Sequence, residues 1–277
     1  MRVLALPDVH GNENVLKMLL AEKDNVDKIV QIGDFLDSHR TGNKWIQQHK
    51  VLSEFLKIKK ELNSKKPGFM SITLGNHDLS YLSKFGGRSC SGHQFYQAVD
   101  IEEYLSANIN EFEPFVIVDN WIFSHAGITQ PYLEYLGRIF GNPKRIWNLE
   151  DIKTAFEERR FSIFNHHGND PYGDSKDESC LWIRPPSLIR FGIDGFNQCV
   201  GHTVLEEGEH MDYWGLENRI VTGRDYYQKD QYFKWQYQEG EPSNLDNTYV
   251  FIDSPENSTY AIIDTITNKI EIKTLSQ

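Results

Sequence analysis

Cysteine is scarce in this chain: 277 residues contain only Cys90, Cys180 and Cys199. Their number is odd, their spacings are wide and no pair forms Cys-x-x-Cys. That argues against a disulfide framework or a thiolate metal cage, and for free thiols in a reducing compartment. No run of 18 apolar residues occurs, so no membrane-spanning helix is expected. The opening MRVLALPDVHGNEN holds one basic residue and an apolar run too short for a secretion signal. A cytoplasmic location without a membrane partner is the expectation. Basic charge is also in deficit, with 29 Lys and Arg against 40 Asp and Glu and a net charge of −11. That speaks against a broad surface for nucleic acid. It leaves an anionic substrate open, because bound divalent cations create a local positive field that residue counts miss. Internal repeats and low-complexity tracts are absent as well.

What is present is an alternation of apolar runs and helical periods. Val3–Leu6, Lys28–Ile32 and Phe69–Leu74 read as strands. Between them, Val15, Leu16, Leu19 and Leu20 recur at helical spacing, as do residues 45, 52, 55, 56 and 62. This β-α-β-α-β order predicts parallel strands joined by crossover helices. Further on, Gln94–Ser106 reads as a helix, and Phe115–Val118 with Trp121–Phe123 as a hairpin around Asp119-Asn120. Residues 131–164 read as helical and 165–179 as a polar loop. Strands return at Gln198–Val200, Arg219–Thr222, Tyr249–Ile252, Tyr260–Asp264 and Lys269–Lys273. A mixed α/β chain with two packed sheets, forming one domain over 1–277, suits this order. The aromatic-rich segment 205–247 reads as an insertion or flap, with Tyr232–Tyr237 alternating like a strand.

Chemistry-bearing residues stand just past the strand ends. Asp8-Val9-His10-Gly11 follows the first run and Gly33-Asp34-Phe35-Leu36-Asp37 the second. Gly75-Asn76-His77-Asp78 follows the third. Ser124-His125-Ala126-Gly127 and Gly201-His202-Thr203 follow two later ones. Ligands of open α/β sheets bind beyond the carboxyl ends of strands. Each motif alone is commonplace, a lone Gly-Asn-His-Asp being usually a turn. The ordered set is not. Carboxylate, amide and imidazole without thiolate suit manganese, iron or zinc.

This ordered set resembles the calcineurin-like metallophosphoesterase superfamily. It is most similar to the branch of phosphoprotein phosphatases, bacteriophage phosphatases and symmetrical dinucleoside tetraphosphatases. Leu181-Trp182-Ile183-Arg184 and Tyr249-Val250-Phe251-Ile252-Asp253 extend the resemblance toward the end of the chain. It implies a two-sheet β sandwich flanked by helices, two divalent metal ions with manganese foremost, and hydrolysis of phosphoric esters by a hydroxide held between the metals. Asp8 and His10 would bind the first metal and Asp34 would bridge both. Asn76, His125 and His202 would complete the second site. His77 would act as general acid, with Asp37 hydrogen-bonded to it and favouring its protonated form.

Two departures stand out. The branch continues Gly-Asp-x-x-Asp with Arg-Gly, where this chain has Ser38-His39-Arg40. It has Glu after Gly-Asn-His, where this chain has Asp78. Arg40, two residues late, and Arg184 are the candidate phosphate contacts, with His39 an alternative to Arg40. His166 and His167 beside Asp170 form a weaker candidate metal pair. The leading expectation is a phosphomonoesterase acting on phosphorylated proteins, of serine/threonine phosphatase type, or on small phosphoesters. The alternatives are a dinucleoside polyphosphate hydrolase or nucleotide phosphodiesterase, and, more remotely, a binding module without catalysis.

Overall fold

Alternation within the first strand sets the architecture. In the computed structural model, β1 (Arg2–Leu6) turns Val3 and Ala5 to one side and Leu4 and Leu6 to the other, as a period of two requires. Both faces are buried, so both must be covered. The structure describes residues 1–37, 44–82, 90–140, 145–170, 174–205, 218–225, 246–253 and 258–275. His39 and Arg40 lie outside these, as does most of segment 205–247 with the expected Tyr232–Tyr237 strand.

The Leu4 and Leu6 face packs on two helices. Helix α1 (Glu13–Glu22) presents Val15, Met18 and Leu19, and α2 (Trp45–Lys65) presents Val51, Leu52, Phe55 and Leu56. Leu20, one of the periodic residues, faces outward and is 53% exposed. The Asn12 side chain caps α1 by accepting from the Asn14 amide at 2.9 Å, a contact worth about 1 kcal/mol. Strands β2 (Lys28–Gln31) and β3 (Met70–Ile72) pair in parallel with β1 in the order β1-β2-β3, the arrangement the crossovers predict. A short helix, α3 (Asn76–Leu82), follows β3 directly. After it come α4 (Ala98–Asn108), the antiparallel pair β4 (Phe115–Val118) and β5 (Trp121–Ser124), then α5 (Gln130–Phe140), α6 (Leu149–Glu157) and α7 (Pro185–Phe191).

The remaining strands are β6 (Asn197–Val200), β7 (Ile220–Thr222), β8 (Thr248–Phe251), β9 (Thr259–Asp264) and β10 (Lys269–Thr274). Among the described residues the sheets have the orders β10-β9-β1-β2-β3 and β4-β5-β6-β8-β7. They pack face to face. Val3, Ala5, Val30, Ile32 and Ile263 of the first meet Val116, Trp121, Phe123, Cys199 and Val250 of the second. Burying each such aliphatic side chain contributes about 1.5–3 kcal/mol. Trp121 is fully buried, and its Nε1 donates to Asn268 Oδ1 at 2.9 Å. That ties the sandwich core to the β9–β10 turn, where Asn268 takes a φ of +56°. The outer face of the second sheet, Val200, Tyr249 and Phe251, packs on Leu188 and Ile189 of α7. No helix among the described residues is long and apolar enough to cross a membrane.

Candidate metal centre

Each sheet contributes three parallel strands: β1, β2 and β3 from one, β5, β6 and β8 from the other. Just beyond their carboxyl ends stand Asp8, Asp34, Asn76, His125, His202 and Asp253. Hydrogen bonds draw these ends together, within the first sheet and, through His202 and Asp8, across the sandwich. The amide of His202 donates to Asp8 Oδ2 at 3.1 Å, the amide of His77 to Asp34 Oδ1 at 3.0 Å, and the amides of Val9 and His10 to the Asp34 carbonyl at 2.9 and 2.7 Å. His10, Asp34, Asp37 and His202 all adopt positive φ, between 46° and 61°. Left-handed backbone at non-glycine residues is costly and gathers at functional sites.

Two glycines permit the close approach. A Cβ on Gly75 would lie 2.0 Å from Asp34 Oδ1, and one on Gly201 would lie 2.1 Å from Asp8 Oδ1.

Among the described residues, the side chains that could hold a metal ion form two groups, Asp8–His10–Asp34 and Asp34–His125–His202. Asp34 belongs to both, the position a bridging carboxylate needs. Asn76 joins the second group, its Oδ1 standing 2.7 Å from His125 Nε2. The imidazoles are oriented from behind by backbone carbonyls. His10 Nδ1 is 2.8 Å from the carbonyls of Leu36 and Asp37, His125 Nδ1 is 3.1 Å from that of Ile32, and His202 Nε2 is 3.2 Å from that of Trp182. Each carbonyl accepts the N–H of the nitrogen it faces, which leaves the other nitrogen as a lone pair toward the centre. His125 Nε2 then faces His202 Nδ1 at 3.1 Å and Asp34 Oδ2 at 3.4 Å. Acceptors converge there without a proton between them, and a cation is what such a set fits.

The electrostatics agree. Asp8, Asp34, Asp37, Asp78 and Asp253 are each at most 2% exposed. Burial, then neighbouring carboxylates, push Asp8 and Asp34 well above the usual carboxylate range. Burial pushes His125 and His202 well below the usual imidazole value. Neutral imidazoles are the form that ligates metal, and a cation between the carboxylates would offset their mutual repulsion.

His77 stands beside this centre. Its Nδ1 donates to Asp37 Oδ2 at 3.1 Å, and its Nε2 lies 3.9 Å from Asp34 Oδ2. Arg184 Nη1 donates to the His202 carbonyl and to Thr203 Oγ1, both at 3.2 Å. Burial pulls its guanidinium down, and Asp253 is the largest countercharge. His166 and His167 part ways. His166 stacks on Tyr135 and faces Asp177 at 3.6 Å, whereas His167 turns to Glu178 at 2.9 Å. They form no metal group among the described residues.

Sequence reasoning named two further residues without giving either a role at the centre. Asp253 falls after β8 in the same way that His202 falls after β6, and that placement was its signal. Asp78 is a clamp. Its Oδ1 accepts from the amides of Phe35 and Leu36 at 2.9 and 3.2 Å, and its Oδ2 from Gly75 at 3.1 Å. Burial pushes its carboxyl up to about 7 against the pull of those three amides.

A two-sheet α/β sandwich carrying a carboxylate, imidazole and amide centre of this kind defines a class of metal-dependent hydrolases. The profile of the calcineurin-like phosphoesterases matches residues 1–206, and the chain belongs to that family. It is thus a metal-dependent hydrolase of phosphoric ester bonds, of a binuclear class. No curated protein matches the chain. Among solved structures, the cold-active protein-tyrosine phosphatase of a psychrophile Shewanella species aligns with a TM-score of 0.54 at 15% identity, covering 99% of this chain and 80% of that one. A point variant of a cold-active protein-tyrosine phosphatase aligns with a TM-score of 0.55 at the same identity and coverage. At such identity the likeness is one of fold. A serine/threonine phosphatase from Saccharomyces cerevisiae aligns with a TM-score of 0.49 at 14% identity, covering 100% of this chain and 81% of that one.

Proposed function

We propose that the protein hydrolyses phosphomonoesters, foremost phosphoserine and phosphothreonine in proteins, at a two-metal centre. The observation that carries this reading is a pair of ligand groups sharing Asp34 with an imidazole, His77, set beside them and held by its own carboxylate. Asp8, His10 and Asp34 would hold one ion, and Asp34, Asn76, His125 and His202 the other. Manganese is the proposed metal, and iron or zinc would suit the same donors. When bound, such a pair supplies positive charge against the phosphate oxygens and makes water acidic enough to attack near neutral pH.

The chain's own groups do the rest. Asp37 fixes His77 through Nδ1, so that Nε2 faces the centre and delivers a proton to the departing oxygen. Arg184, anchored at the His202 carbonyl, offers its guanidinium to phosphate oxygens, and the charge of Asp253 favours its protonated form. Strands β9 and β10 lie beyond the matched residues yet extend the same sheet, β9 pairing with β1 and β10 with β9, which supports one catalytic domain over 1–277. All three cysteines are free and buried, which supports a cytoplasmic location.

The test is a substrate panel with the manganese-loaded protein: phosphoserine, phosphothreonine and phosphotyrosine peptides, p-nitrophenyl phosphate, bis-p-nitrophenyl phosphate and diadenosine tetraphosphate. The phosphotyrosine peptide is included because the Shewanella protein of like fold is named for that activity. Preferred turnover of phosphoserine and phosphothreonine peptides is expected. Preference for the diester or the dinucleotide would overturn the monoesterase reading and leave the metal centre standing.

A further inference from the structure

The pair formed by His77 and Asp37 continues into the protein. His77 and Tyr81 sit four residues apart on α3, so their side chains leave the same face of the helix. The Asp37 carboxylate lies between them. Its Oδ2 faces His77 Nδ1 at 3.1 Å, and its Oδ1 accepts the Tyr81 hydroxyl at 2.5 Å. The Tyr81 oxygen in turn accepts the Gln94 amide at 2.8 Å, which leaves its proton directed at Asp37. The ring cannot swing away: it is 5% exposed and stacks on His93 at 4.2 Å between centroids. Gln94 adds a second strut. Its Nε2 donates to Gln48 Oε1 at 2.6 Å and reaches Asp37 Oδ1 at 3.5 Å. Its Oε1 accepts the amide of Trp45 at 2.6 Å, at the start of α2, where Lys44 supplies no side-chain cap.

We infer that Tyr81, with Gln94 behind it, is a positioning residue for the general acid. With Oδ1 held, Asp37 cannot rotate, and its other oxygen keeps the plane of the His77 imidazole aimed at the leaving group. The carboxylate of a Ser-His-Asp triad orients its histidine on the same principle. Tyr81 touches neither substrate nor metal ligand in this account and acts only through Asp37 and His77. The inference rests on the role proposed for His77.

A double-mutant cycle on the manganese-loaded full chain tests it, using Tyr81→Phe, His77→Asn and the double variant. Phenyl phosphate has a poor leaving group and p-nitrophenyl phosphate a good one. Tyr81→Phe is expected to lower kcat on phenyl phosphate roughly tenfold, a share of the ~10²–10⁴ a positioned acid contributes. The loss on p-nitrophenyl phosphate should be much smaller, with KM and metal content unchanged. Added to His77→Asn, it should cost nothing further. Gln94→Met should move the ratio of the two substrates in the same direction by about two- to fivefold, the scale of one neutral hydrogen bond. Equal losses on both esters, or losses that multiply in the double variant, would overturn the inference while leaving the phosphatase reading intact. Wild type inactive toward both esters with two metals bound would overturn that reading and this inference with it.

Discussion

Asp34→Asn is expected to make the metal-free protein more stable and the metal-loaded protein less stable. Asp34 is 2% exposed and surrounded by like charge from Asp78, Asp253 and Asp37. Asn is nearly isosteric and keeps the oxygen that accepts the His77 amide at 3.0 Å. It removes a buried charge whose effective penalty is several kcal/mol, so a gain of about 1–3 kcal/mol is expected in chelator. Unfolding entropy of about 2.1 cal/mol/K per residue gives about 0.58 kcal/mol/K for 277 residues. The gain is then about 2–5 °C in Tm. Loading reverses the order. One ion at a hundred times its Kd stabilises by about 2.7 kcal/mol, and two by about 5 kcal/mol, or about 9 °C. A variant lacking the shared ligand loses most of that and should melt about 4–7 °C below wild type. Scanning calorimetry near pH 8, in chelator and in excess manganese, reads both numbers. A variant that melts below wild type in chelator would refute the reasoning, because Asp34 would then be a structural carboxylate.

Other consequences follow from the same geometry. Gly201→Ala puts a methyl group 2.1 Å from Asp8 Oδ1 and 2.8 Å from Ile32 Cδ1. Displacing Asp8 should weaken manganese binding roughly 10–100-fold, the scale of disturbed ligand support, and unchanged affinity in a calorimetric titration would remove Asp8 from the ligand set. Outside the ligand set, Glu22 accepts from Lys273 Nζ at 2.6 Å and Tyr260 Oη at 3.0 Å. Burial alone would raise its carboxyl, but those bonds hold it below the ordinary 4.5. A depressed folded pKa contributes stability that is present above the unfolded value and lost as pH falls through the folded one. Glu22→Gln should therefore cost about 1 kcal/mol at pH 7, with the Tm gap closing in the acid range; a gap independent of pH would contradict the pairing.

The parallel β1-β2-β3 core and the hairpin at Asp119-Asn120 were legible because apolar runs and turn residues mark them directly. Helices α3 and α7 were not. In α3 only Leu79 and Leu82 mark a helical face, and Gly-Asn-His-Asp at its start reads as a turn. In α7, Pro185 and Pro186 look like breakers, although proline at the first helical positions is well tolerated. The ligand types were legible because each follows a strand end. Their orientation was not, since it is set by the carbonyls of Leu36, Ile32 and Trp182, and carbonyls carry no sequence signal. Tyr81 was hidden for a related reason: its link to His77 appears only once α3 is known to be helical.

The measurement that bears most directly on a two-metal phosphoesterase is a manganese titration of chelator-treated protein, with bound metal and turnover of p-nitrophenyl phosphate followed in the same samples. Two ions per chain are predicted, with turnover absent in chelator and full only as the second site fills. Turnover that survives complete metal removal, or that reaches its maximum with one ion bound, would contradict the account.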